Sequence, residues 1–185
     1  MPKVIFFFAG TGDDGRGYAS MKENQSEFQD DVIRIYIKGC QEERVGNGFL
    51  FPDLEIAANN VRNAFEGNEL DLDKLRENFG DGLYAIRGQM LGKSKVKVDD
   101  ITLEGFSRGA VTTFATAKKL DDLNIPMHII ANQPVPGEAG IARRLYSRYC
   151  DLRGCRNIKS AHTFLASYNL EQGFVSSPYH RVNAA

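Results

Sequence analysis

The stretch Ile101-Thr102-Leu103-Glu104-Gly105-Phe106-Ser107-Arg108-Gly109-Ala110-Val111 decides how this chain is read. Within it, Gly105 to Gly109 matches G-x-S-x-G, with an apolar run before it and a helical pattern after it. A sharp strand-to-helix turn of that kind lifts the central serine hydroxyl above the end of a sheet. Glycine on both sides lets the neighbouring backbone come close. A helix starting at Arg108 aims its positive end at the same point, which makes the Arg108 amide a candidate oxyanion donor. The competing reading is a chance match in a chain of 18 glycines. The strand before the motif and the helix after it favour the turn.

Working outward, Ala110, Val111, Phe114, Ala117 and Leu120 give the following helix one apolar face. Asp121-Asp122 and Asn124 mark its end, and Ile125 to Ala131 reads as the next strand, closing on Asn132-Gln133. Upstream, Val4 to Ala9 is a continuous β-favouring run, as expected of a strand covered on both faces. Val32 to Lys38 reads as a second strand, and Pro52 opens a helix with Leu54, Ala57, Val61 and Phe65 on one side. Apolar spacings of three and four predict a further helix from Leu72 to Met90, with a break or kink at Gly80 and Gly82, each costing about 1 kcal/mol of helix propensity. Val96 to Val98 is expected to extend the strand that leads to Ser107, and a helix is expected from Glu138 to Tyr149. Ser160 to Tyr168 fits either a last strand or a helix start.

Strands alternating with helices predict an α/β fold with a mainly parallel sheet between helical layers. In such sheets ligands collect beyond the carboxyl ends of the strands, where Gly10-Thr11, Ser107 and Asn132-Gln133 all fall. The expected organisation is one domain over residues 1–175, with residues 176–185 a tail or the edge of a longer chain.

Composition narrows the chemistry. With 23 basic and 24 acidic residues the net charge is −1, so nothing in the overall charge points to nucleic acid. Cys40, Cys150 and Cys155 are too few and wrongly spaced for a zinc cluster or a disulfide framework, and neither metal nor cofactor is expected. No apolar run reaches membrane-spanning length, and the short apolar start lacks a cleavage site. Gly10-Thr11-Gly12-Asp13-Asp14-Gly15 fits G-x-G-x-x-G. Two aspartates where a pyrophosphate needs neutral amides, and a polar segment behind the third glycine, argue against a dinucleotide site. The same loop suits a second oxyanion donor, the Thr11 amide.

A serine needs a histidine to take its proton and an acceptor behind that histidine. Three histidines are present. His162, beside the last apolar segment, is the leading candidate base; His128 lies within a predicted strand, and His180, in the unpatterned end, is a secondary candidate. The acid is expected just after the strand that follows the Ser107 helix, and there the residue is Gln133. Glu138 is the nearest carboxylate, and Asp13 and Asp14 are further candidates.

Three pieces of the sequence resemble the α/β-hydrolase domain of bacterial type VI secretion phospholipase effectors and their relatives. They are Phe7-Phe8-Ala9-Gly10-Thr11-Gly12, Gly105-Phe106-Ser107-Arg108-Gly109-Ala110, and His162 leading into Tyr168-Asn169-Leu170-Glu171-Gln172-Gly173-Phe174. The resemblance implies a three-layer α/β-hydrolase-like fold and a lipid or carboxylic ester hydrolase with a Ser-Asp-His triad. It also implies a place in the bacterial cytoplasm or secretion into a target cell without a cleaved signal peptide, within a longer protein. Ala9 replaces the aspartate of the family's first loop and Gln133 replaces its catalytic aspartate. The alternative is therefore a binding or regulatory module on the same fold. Arg143, Arg144, Arg148, Arg153, Arg156 and Lys159 are either a membrane-headgroup contact or a solvated face.

Overall fold

A computed structural model describes residues 3–25, 32–39, 51–88, 92–135 and 150–165. The elements run β1 (Lys3–Phe8), α1 (Arg16–Gln25), β2 (Val32–Ile37), α2 (Phe51–Asn63), β3 (Phe65–Glu66), β4 (Glu69–Asp71), α3 (Leu72–Phe79), β5 (Leu83–Arg87), β6 (Lys95–Lys97), β7 (Asp100–Phe106), α4 (Arg108–Leu120), β8 (Met127–Asn132) and β9 (Ile158–Phe164). The main sheet has the order β5-β2-β1-β7-β8-β9. Every pairing in it is parallel except β2 with β5. This is an α/β architecture with a mostly parallel sheet.

The apolar run of β1 explains its central place. Val4, Phe6 and Phe8 point into the main core with Ile33, Ile35, Leu103, Phe114 and Ile129. On the other face Phe7 stacks on Tyr36 with ring centroids 4.8 Å apart, and Ala19 of α1 completes that smaller cluster. Helices therefore lie on both faces. α4 sits between the sheet and α2, so nearly all of it is buried, including Thr112, Thr113 and Thr116. Their hydroxyls donate to the carbonyls of Arg108, Ala110 and Thr112 in the preceding turn, which makes burial of three hydroxyls in one helix tolerable.

Two expectations are corrected. The helix predicted from Leu72 to Met90 ends at Phe79, and Leu83–Arg87 is an antiparallel edge strand on β2. Gly80 takes φ 50° and donates its amide to the Arg76 carbonyl, which closes the helix. Val96 does not extend the strand leading to Ser107. It pairs with Leu70 in a separate sheet of order β3-β4-β6. Ile158–Phe164 resolves the strand-or-helix alternative in favour of a strand. The helix expected from Glu138, most of the loop after Gly39, and the segment 176–185 lie outside the described residues.

Candidate functional site

The strand order reverses between β1 and β7: the chain steps from β1 to β2 on one side, and β7, β8 and β9 extend on the other. The crevice beyond the carboxyl ends of two such strands is where open α/β sheets bind ligands. Gly10 follows β1 and Ser107 follows β7, so both stand at that crevice.

Ser107 has φ 54° and ψ −117°, a conformation rarely adopted by residues with a side chain. It joins the last residue of β7 to the first of α4 and is half-buried. The turn is closed from three sides. The Ser107 amide donates to the Asn132 carbonyl at 2.9 Å, and its carbonyl accepts from the amides of Ala110 and Val135, each at 3.2 Å. The flanking glycines are sterically required. A Cβ on Gly105 would lie 2.4 Å from the Gly109 carbonyl group, and one on Gly109 would lie 2.1 Å from the Phe8 oxygen. The first loop reaches the serine directly, since a Cβ on Gly10 would stand 3.3 Å from Ser107 Cβ. Arg108 contributes the first amide of α4, one of the helix-terminal donors without an intrahelical acceptor.

Beside this turn lies a cleft of about 520 Å³, bordered by Ala9, Arg108 and Gly109 on the Ser107 side and by Leu54, Ile56 and Phe79 further out. Lys38, Asn60 and Asp81 add polar groups to its wall.

The candidate base and acid are placed differently. His162 is an exposed mid-strand residue of β9, in register with Ile130, which is in register with Glu104. It stands two strands across and three residues back from Ser107, roughly 10 Å in each direction at ordinary sheet spacings. That register keeps the His162 imidazole out of hydrogen-bond reach of Ser107. His128 lies lower still, near the start of β8, where Nε2 is 3.1 Å from Asp100 Oδ2 and Nδ1 is 2.8 Å from Ser160 Oγ. His180 and Glu138 are outside the described residues.

Gln133 stands at the expected position, exposed just after β8, with φ 48° and its amide donating to the Phe164 carbonyl at 2.7 Å. Asp13 and Asp14 are occupied by local turns: their side chains accept from the amides of Gly15 and Arg16, shaping the entry to α1. Thr11 lies in the loop that abuts Ser107. Among the described residues no three His, Cys, Asp or Glu side chains gather as metal ligands, and no helix is long and apolar enough to cross a membrane.

Sequence reasoning missed the chain formed by Asp100, His128 and Ser160. Its members lie on three strands and only the register brings them together, so no local spacing signals it. No family model, curated protein or solved structure matches this chain, so any functional assignment rests on the turn at Ser107 and the groups around it.

Proposed function

We propose that the chain is a serine hydrolase with an α/β-hydrolase-like fold, acting on a carboxylic ester with Ser107 as nucleophile. The observation that carries this reading is the backbone of Ser107. A residue with a side chain is held at positive φ between a parallel strand and a helix N-terminus, with glycine-only contacts on both sides. Strain of that kind persists where surrounding structure over-determines it, and a strand-to-helix turn of this shape is the device that exposes a nucleophilic hydroxyl. The amides of Arg108 and Thr11 are the proposed oxyanion donors. The cleft beside Ala9 and Gly109 is the proposed substrate seat. The motif resemblance extends the proposal to a lipid ester substrate, peripheral membrane contact, further domains in the same protein and a bacterial effector role.

The base in this proposal is His180, by elimination, because strand register holds the other two histidines away from Ser107. A fluorophosphonate probe mapped by peptide mass spectrometry tests the scheme. Labelling at Ser107 is expected in the wild type. His180→Ala is expected to slow it by about 10²–10⁴-fold, the usual contribution of a positioned base. His162→Ala is expected to leave it unchanged. The second reading, a non-catalytic binding module, is favoured by the amide at Gln133. Failure of Ser107 to react while the protein is folded would select that reading. A Gln133→Asp variant is expected to gain ester hydrolysis if this position is the triad's acid.

A further inference from the structure

The end of the sheet opposite Ser107 carries a hydrogen-bonded row that the proposed hydrolase site does not use. Asp100, at the start of β7, places Oδ2 3.1 Å from His128 Nε2, and His128 places Nδ1 2.8 Å from Ser160 Oγ on β9. Register explains the row: His128 is the direct partner of Ser160, and Asp100 stands two residues before Thr102, the partner of His128 on β7. Lys3 of β1 places Nζ 3.6 Å from the other Asp100 oxygen, so the row spans four adjacent strands.

A carboxylate only accepts, so His128 Nε2 carries the hydrogen that faces Asp100. In the neutral imidazole Nδ1 is then the acceptor, and the Ser160 hydroxyl donates to it. A serine donating to a histidine whose far nitrogen is held by a carboxylate has the arrangement that activates serine nucleophiles. The row is reachable, since the side chains of His128 and Asp100 are 34% and 31% exposed.

We propose that Ser160 is a second reactive serine, a covalent modification site for small activated acyl groups such as aryl esters. Ser160 Oγ attacks the acyl carbon while its proton passes to His128 Nδ1, and Asp100 steadies the imidazolium. The acyl carbon–oxygen bond then breaks, the aryl oxide leaves with the proton from Nδ1, and acyl-Ser160 remains. Among the described residues no helix begins beside Ser160 as α4 begins at Ser107, so the electrophile supplies its own activation and the reaction stops at one acyl group per chain.

Treatment of the intact chain with 4-nitrophenyl acetate, followed by tryptic digestion and fragmentation, tests this. Ser107 and Ser160 fall on different peptides, 98–108 and 160–181, so each serine is read independently. Acetylation at Ser160 approaching one per chain is expected in the wild type and in Ser107→Ala. In His128→Gln, with its fold checked by circular dichroism, the rate at Ser160 is expected to fall about a hundredfold. Asp100→Asn gives the same test through the other partner if the His128 variant does not fold. An unmodified Ser160 in folded wild-type protein, or a rate indifferent to both substitutions, overturns the proposal.

Discussion

Ser107 pays for its position in backbone strain, and that strain is measurable. A residue with a side chain in such a conformation costs about 1–3 kcal/mol. Glycine would relieve it but adds about 0.5–1 kcal/mol of unfolded-state freedom. Ser107→Gly is therefore expected to be more stable than Ser107→Ala by about 1 kcal/mol, the remainder of those two terms. Urea denaturation of both variants checks this, and a lower midpoint for Ser107→Gly than for Ser107→Ala would mean that the turn is unstrained. The opposite outcome is expected at Gly109. An added methyl there meets the Phe8 carbonyl oxygen, which belongs to the central strand and cannot move away. Gly109→Ala should lose about 1–3 kcal/mol or more, as overpacked cores do. It should also lose any reactivity at Ser107, because α4 must shift relative to β7.

At the level of elements, the start of the edge strand β9 is tied to the turn after α4 through the side chain of Asp121. Asp121, in the 3-10 turn after α4, accepts at Oδ1 from the amides of Arg156 at 2.8 Å and Asn157 at 3.1 Å. Asp121→Ala leaves both amides to find water or remain unpaired, a loss of about 1–3 kcal/mol. Faster amide hydrogen exchange confined to β9 is the expected signature, and Asp121→Asn should recover part of the protection. The elements that sequence made legible are those whose pattern has one solution. The continuous apolar run of β1 and the apolar face of α4 each satisfy a single period. Leu83 and Ile86 satisfy two, continuing the helix spacing from Leu75 and Phe79 while also fitting a short strand. Gly80, where the sequence places a break or kink, decides between them by ending the helix at a positive φ of 50°. The candidate site divides along the same line. Ser107 and its glycines form one local segment and were readable. The distance of His162 from Ser107 depends on the register of two neighbouring strands, which no local spacing encodes.

For the molecule as a whole, the closing contacts of the core include a cysteine whose chemistry reports on global stability. Cys150 packs against the main core and against Leu54 and Val111, and burial pushes its thiol up to about 12. Burial also raises Cys155, with the Asp121 carboxylate adding to it. An unfolded cysteine ionises near pH 8.5, so between there and about 12 the native chain holds a proton at Cys150 that the unfolded chain has released. Stability is therefore fully present below the unfolded value and falls as pH rises. The slope from this group approaches about 1.4 kcal/mol per pH unit once the unfolded thiol is largely ionised. Denaturation midpoints measured from pH 8 to pH 10.5 should decline more steeply for the wild type than for Cys150→Ala, which cannot release that proton. Alkylation gives a second reading of the same burial. At pH 8 iodoacetamide should modify Cys150 more slowly in the folded protein than in the unfolded chain, because the thiolate is the reacting species and the partly buried site suppresses it. Rapid native-state alkylation of Cys150, or parallel pH profiles for the two proteins, would show that this thiol is not enclosed by the core.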